Sequence, residues 1–127
     1  MKTEKRIRSF EDLIVWQMGI AIVKEIYLVT SAGLLKNDFG LKDQMRRASV
    51  SIPTNIAEGF ERTSRREYLQ FLNFAKGSAG ELRSLLRVAL EIEYLAQPLF
   101  NNLSNSAARL SASLSNQISA IKTAPYK

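Results

Sequence analysis

Apolar side chains recur every three or four positions through most of this chain, and no two-residue alternation competes with them. Ser9 opens the first helical stretch, with Glu11 and Asp12 in its positively polarised first turn. At about 100° per residue, Leu13, Trp16, Ile20, Val23 and Tyr27 fall on one stripe. Val15, Met18, Ile22, Ile26 and Val29 fall on a second. One stripe is enough to seat a helix on a core. Two imply cover from two sides, more than a small monomer can supply, so the second stripe is expected to be a subunit interface. A core helix with generous apolar padding is the plainer alternative.

Thr30 to Asn37 reads as a loop, with Gly33 stopping the first helix and Asp38 or nearby polar residues starting the next. The second helix is predicted from Gly40 to Glu58, with Gly59 as a left-handed terminator. Its stripe Leu41, Met45, Ala48, Ile52, Ile56 runs straight past Pro53. A proline inside a helix costs roughly 3 kcal/mol, because it removes one N–H and crowds the carbonyl four residues back. The helix is therefore expected to continue but bend, with Ser49, Ser51 or Asn55 near the broken ladder. A polar stripe, Gln44, Arg47, Ser51, Asn55 and Glu58, is either a solvated face or a hydrogen-bonded seam.

Ser64 and Glu67 form a Ser-x-x-Glu start for a third helix reaching to about Leu95. Its central stripe is Tyr68, Leu72, Ala75, Ala79, Leu82 and Leu86, flanked by Phe74, Leu85 and Ile92. The run Gly77, Ser78, Ala79, Gly80 suggests close approach by another helix. It lacks the Gly-Lys-Ser/Thr ending and preceding strand of a phosphate loop. Pro98 suits the first turn of a fourth helix, whose narrow seam is Leu99, Leu103, Ala107, Leu110, Leu114, Ile118 and Ile121. Its Ser- and Asn-rich background is poor in helix propensity, so this helix should be the least stable, with 123–127 as a frayed end. The architecture predicted is all-α: an up-down-up-down four-helix bundle in which residues 1–127 form one domain.

Composition narrows the chemistry. The chain has neither cysteine nor histidine, which removes disulfides, thiol nucleophiles, Ser-His-Asp triads and ordinary zinc sites. No cofactor and no metal site are expected, and no enzymatic role. Glu58 beside Asn55 is the one constellation that could be asked to do acid–base work, and a structural hydrogen bond explains it equally well. The basic N-terminus imitates a signal peptide, but Glu11, Asp12 and Gln17 interrupt any apolar core. Apolar runs fall well short of the ~18 residues of a membrane span, so a cytoplasmic protein without membrane contact is expected. The formal net charge of +6 favours acidic partners. Arg46, Arg47, Arg62, Arg65 and Arg66 are the candidate nucleic-acid contacts, read as crowding the hinge between helices two and three. Glu58, Glu61 and Glu67 dilute that patch. The alternative is a protein-binding scaffold that never touches nucleic acid.

The segments FEDLIVWQ, GLKDQMRRASVSIPTNIAEGFERTSRREYLQFLNFAKGSAGEL and the closing EYL resemble a bacterial four-helix bundle family. That family is named after proteins encoded in intervening sequences of 23S rRNA genes. The likeness runs from about Phe10 to Leu95. The loop before Phe39 lacks the usual Phe-Pro and Glu, and the last helix is similar only in spacing. The resemblance implies a ring, typically a homopentamer. A related accessory protein of diversity-generating retroelements is similar in fold, and is a basic pentamer that binds a reverse transcriptase and nucleic acid.

Overall fold

The computed structural model describes residues 6–125. A 3-10 turn at Phe10–Asp12 precedes four α-helices: α1 Ile14–Thr30, α2 Phe39–Phe60, α3 Arg65–Glu91 and α4 Gln97–Thr123. Among the described residues there is no strand. Each helix packs on two others, α1 on α2, α2 on α3, α3 on α4 and α4 back on α1, with no pairing across a diagonal. The result is a four-helix bundle around one core. The α1–α4 side is the least extensively packed of the four.

Ser9 caps the 3-10 turn rather than α1: its hydroxyl accepts from Glu11 N, and Asp12 reaches back to Ser9 N. Leu13 is extended, so α1 starts one turn later than its capping signal. Which stripe of α1 faces inward is settled at Gly19. A Cβ there would lie 3.3 Å from Cβ and Cδ of Pro53, so α2 seats its proline ring in the notch. That approach turns Val15, Ile22 and Ile26 into the core, at 4%, 4% and 0% exposure. Met18 and Val29 are half-buried and pack against the same core. The stripe expected to be the subunit interface is thus the inner face of α1, already covered by the chain itself. Of the other stripe, Leu13 is buried, while Trp16, Ile20 and Val23 are half-buried and line a groove beside α2, Trp16 packing on the core as well.

Helix α2 runs unbroken through Pro53. Around the missing N–H, Thr54 Oγ1 donates to Val50 O, Asn55 Nδ2 to Ser51 O, and Ser49 Oγ to Arg46 O. Gly33 does adopt a left-handed φ of 62°, opening a 3-10 turn that ends at Asn37, and Asp38 caps α2 by accepting from Leu41 N. Gly59 departs from expectation. It lies inside α2, buried, and its φ is not left-handed. A Cβ would sit 2.8 Å from Phe71 Cβ and 3.2 Å from Tyr68 O, so the glycine is there to let α3 come close. Gly77 and Gly80 are the reverse case: a Cβ on either would meet nothing within 4 Å. The close contacts of that run are made by buried Ala79 and by Ser78, whose hydroxyl lies 2.8 Å from that of Ser51.

Helix α3 stops at Glu91, four residues before the predicted end. Glu93 N donates to Leu90 O and Tyr94 N to Ala89 O, the paired bonds of a Schellman stop, with Glu93 at φ 63° where glycine is usual. A left-handed conformation costs a residue with a side chain about 1–2 kcal/mol. Glu93→Gly is therefore expected to raise stability by about 1 kcal/mol, read as a higher urea midpoint at unchanged slope; a fall would show that the Glu93 side chain contributes more than the strain it bears. In α4 the predicted seam holds: Leu103, Ala107, Leu110, Leu114 and Ile118 are buried. Leu99 at its start is 41% exposed. Of the expected frayed end, Thr123 belongs to α4, while residues 126–127 lie outside those described.

Candidate functional site

The five candidate arginines do not converge. Arg46 is half-buried and clamps α2 to the end of α1: Nε donates to Thr30 Oγ1 at 2.9 Å and Nη2 to Ser31 Oγ at 3.1 Å. Its guanidinium stacks 4.2 Å from the Tyr27 ring. Thr30, which looks like a loop residue in the sequence, is fully buried, and its own proton goes to Ile26 O. Arg47 is exposed and pairs with Asp43 at 2.8 Å. Both lie some thirteen residues before the end of α2, about 20 Å from the α2–α3 connection at 1.5 Å per residue. Arg62 pairs with Glu58 at 3.1 Å and covers the Phe71 ring at 4.8 Å. Arg65 and Arg66, with Leu69, Gln70 and Asn73, line a mixed polar and apolar hollow at the start of α3. The hinge between α2 and α3 therefore carries Arg62, Arg65 and Arg66, and not Arg46 or Arg47.

The polar stripe of α2 divides in the same way. Asn55 Nδ2 donates to both the carbonyl and the hydroxyl of Ser51, which meets Ser78 of α3, making a hydrogen-bonded seam in the middle. Gln44, Arg47 and Glu58 stay exposed at its ends. Asn55 and Glu58 thus serve different partners and form no shared acid–base pair. Among the described residues no three of Asp and Glu gather as a metal site would require, and no helix is long and apolar enough to cross a membrane. Burial raises the Tyr68 phenol above its ordinary 10.0, partly opposed by a long hydrogen bond from Gln117 at 3.5 Å.

A concavity lies between α1 and α2. It is a groove of about 700 Å³ whose floor is Trp16, Ile20, Val23, Val50, Pro53 and Ala57. Phe10 closes one end, its ring 5.4 Å from that of Trp16. Glu58, Glu61 and Arg62 form a charged rim. Periodicity did not single out this groove, although Val50, Pro53 and Ala57 of α2 stand at helical spacing beside the core stripe.

The sequence pattern of the 23S rRNA-intervening sequence protein family matches residues 11–116. The chain belongs to this family. The matched span takes in both walls of the groove and the α2–α3 connection. Among solved structures, the bundle is similar to a protein of unknown function from the S23 ribosomal protein family of Bacteroides thetaiotaomicron VPI-5482. The TM-score is 0.76 at 22% identity, covering 83% of this chain and 98% of the other. At that identity the likeness speaks for the fold alone. A search of curated proteins returns no match.

Proposed function

We propose that this member of the 23S rRNA-intervening sequence protein family is a non-catalytic interaction module that assembles with copies of itself through the α1/α2 groove. The observation that carries this reading is the groove: a half-buried tryptophan, apolar β-branched residues and a proline, edged by both signs of charge. Aromatic anchors in an apolar centre with a polar rim are the anatomy of protein contacts. An up-down-up-down bundle closed into a ring, the pentamer that the family resemblance implies, would repeat that groove around its axis. The non-catalytic part of the reading is supported by the lack of histidine and cysteine and by the separate engagements of Asn55 and Glu58, the one pair the sequence offered for acid–base work.

A second reading, weak binding of RNA or DNA, is favoured by one feature: the hollow lined by Arg65, Arg66, Gln70 and Asn73, in a chain of net charge +6. In a ring, such hollows would present several phosphate contacts at once. One variant separates the surfaces. Val50 is 39% exposed where it lines the groove, so Val50→Arg should leave the helical content intact while dissociating the assembly, seen as a smaller mass by light scattering. An unchanged mass overturns the groove as the interface. Retention on mixed nucleic acid that falls with salt, and falls further in Arg65→Gln/Arg66→Gln, would favour the second reading.

A further inference from the structure

Beside its core stripe, α3 carries a second one: Phe74, Ser78, Glu81, Leu85, Val88 and, just past the helix, Ile92, alternately four and three apart. That spacing lets one helix lay a continuous seam along another. Ser78 is engaged by Ser51 of α2, but Phe74 is 49% exposed, Val88 43% and Ile92 47%, with exposed Glu81 in their midst. The stripe lies on the α3 side of α2 and the groove on its α1 side, so they are different surfaces flanking one helix.

Contacts inside the bundle set the heights of both surfaces. Gly19 faces Pro53 while Tyr27 and Thr30 meet Arg46, so α1 and α2 run in opposite directions. Ser51 meets Ser78 and Gly59 comes against Phe71, so α3 runs against α2 and therefore with α1. At about 1.5 Å per residue from those contacts, Lys24 and Glu81 each stand about 7 Å from the Gly19–Pro53 level, towards the C-terminal ends of their helices. Lys24 is exposed at the α1 edge of the groove, one turn past Ile20, and neither it nor Glu81 has an ion pair or hydrogen bond within the chain. Phe74 falls within about 3 Å of the level of Trp16 and Ala57. Val88 and Ile92 bracket the level of Phe39, which is 70% exposed and stands three turns before Val50 on the same side of α2. Gly77, with open space where a Cβ would be, comes level with Ile20 and Pro53, where a helix seated in the groove has to approach most closely. Gln70 and Arg66 come within about a turn of the level of the rim acids Glu58 and Glu61, so polar edge meets polar edge.

Equal heights matter because rotation about an axis parallel to the bundle moves nothing along that axis. A ring of this kind keeps α1 and α3 of every copy parallel, and residues of neighbouring copies meet only at a shared level. The groove and the stripe meet both conditions.

We propose that the exposed stripe of α3 from one copy fills the α1/α2 groove of the next, with Glu81 of one copy paired to Lys24 of its neighbour. This rests on the groove being the self-assembly surface and adds what enters it. The contact joins unlike faces, so it closes as a ring of more than two copies and not as a symmetric pair.

Complementation in the full chain tests it. Val50→Arg spoils the groove and Phe74→Arg the stripe, both at exposed positions, so circular dichroism should not change. Each variant alone should be monomeric by light scattering. Mixed, they should form dimers, because the intact stripe of the first meets the intact groove of the second. Glu81→Lys and Lys24→Glu should each raise the concentration needed for assembly about tenfold or more, by setting like charges across the contact. Glu81→Lys/Lys24→Glu should bring it back towards wild type, since the swapped pair is complementary again. If Val50→Arg dissociates the protein while Phe74→Arg leaves its mass unchanged, the groove stands as the interface and α3 is overturned as its occupant. Variants that stay monomeric on mixing, or a charge swap that fails to rescue, would overturn α3 in the same way. A monomeric wild type, or an unchanged mass in Val50→Arg, would overturn the groove itself and this proposal with it.

Discussion

Ile22→Glu is expected to unfold the bundle, not to release folded subunits from an assembly. Ile22 is 4% exposed and points with Val15 and Ile26 into the core shared by all four helices. A carboxylate there would be largely stripped of water, while Arg109, which lines the hollow beside Ile22, is itself exposed to solvent. Such a group either stays charged at heavy cost or takes up a proton and leaves its polar atoms unpaired. On top of that comes the lost burial of a branched aliphatic side chain, so the total should be on the order of 4 kcal/mol or more, a substantial part of the stability of a domain this size. Far-UV circular dichroism should show loss of helix, or a midpoint shifted to low urea, at every protein concentration. Ile22→Val should cost only about 1 kcal/mol. A folded monomeric Ile22→Glu protein would place this residue at a subunit contact after all.

Gly59→Ala should destabilise the chain, although alanine is the better helix former by about 1 kcal/mol. The added methyl would lie 2.8 Å from Phe71 Cβ and 3.1 Å from Tyr68 Cδ1, with the Tyr68 carbonyl oxygen at 3.2 Å. Phe71 Cβ and the Tyr68 carbonyl are fixed to the α3 backbone, so they cannot swing away; the two helices must separate. Overpacking of this kind costs roughly 1–3 kcal/mol, which exceeds the propensity gain. The Phe60–Tyr68 edge contact at 6.2 Å would be disturbed with it. Gly59→Val should be worse than alanine, whereas Gly80→Ala, with open space around it, should stabilise by up to about 1 kcal/mol. The contrast is read from denaturant midpoints. Equal behaviour at positions 59 and 80 would mean that the close approach of α3 to α2 is not what the Gly59 position serves.

Periodicity alone was enough to establish four helices, their approximate limits and most of the core. The stripes Met45, Ala48, Ile52, Ile56 and Leu72, Ala75, Ala79, Leu82, Leu86 are buried as their spacing requires, because helical geometry puts every third or fourth side chain on one side whatever the partner. Ser64 and Asp38 cap as expected, since capping depends on atoms three residues away. Even the Ser-rich α4 could be read from its unbroken seam. What periodicity could not decide was orientation. Two stripes on α1 were equivalent as patterns, and the choice between core and exterior rested on Pro53 of another helix meeting the notch at Gly19. The same limit applied to the glycines: Gly59 is required by α3, while Gly77 and Gly80 face open space, and only neighbouring elements distinguish them. It applied to the arginines as well, where Arg46 is taken up by Thr30, Ser31 and Tyr27 from α1 and its end. Local spacing determined what each helix could bury. Contacts between residues distant in sequence decided which face it did bury, because that depends on which surfaces of two helices fit together.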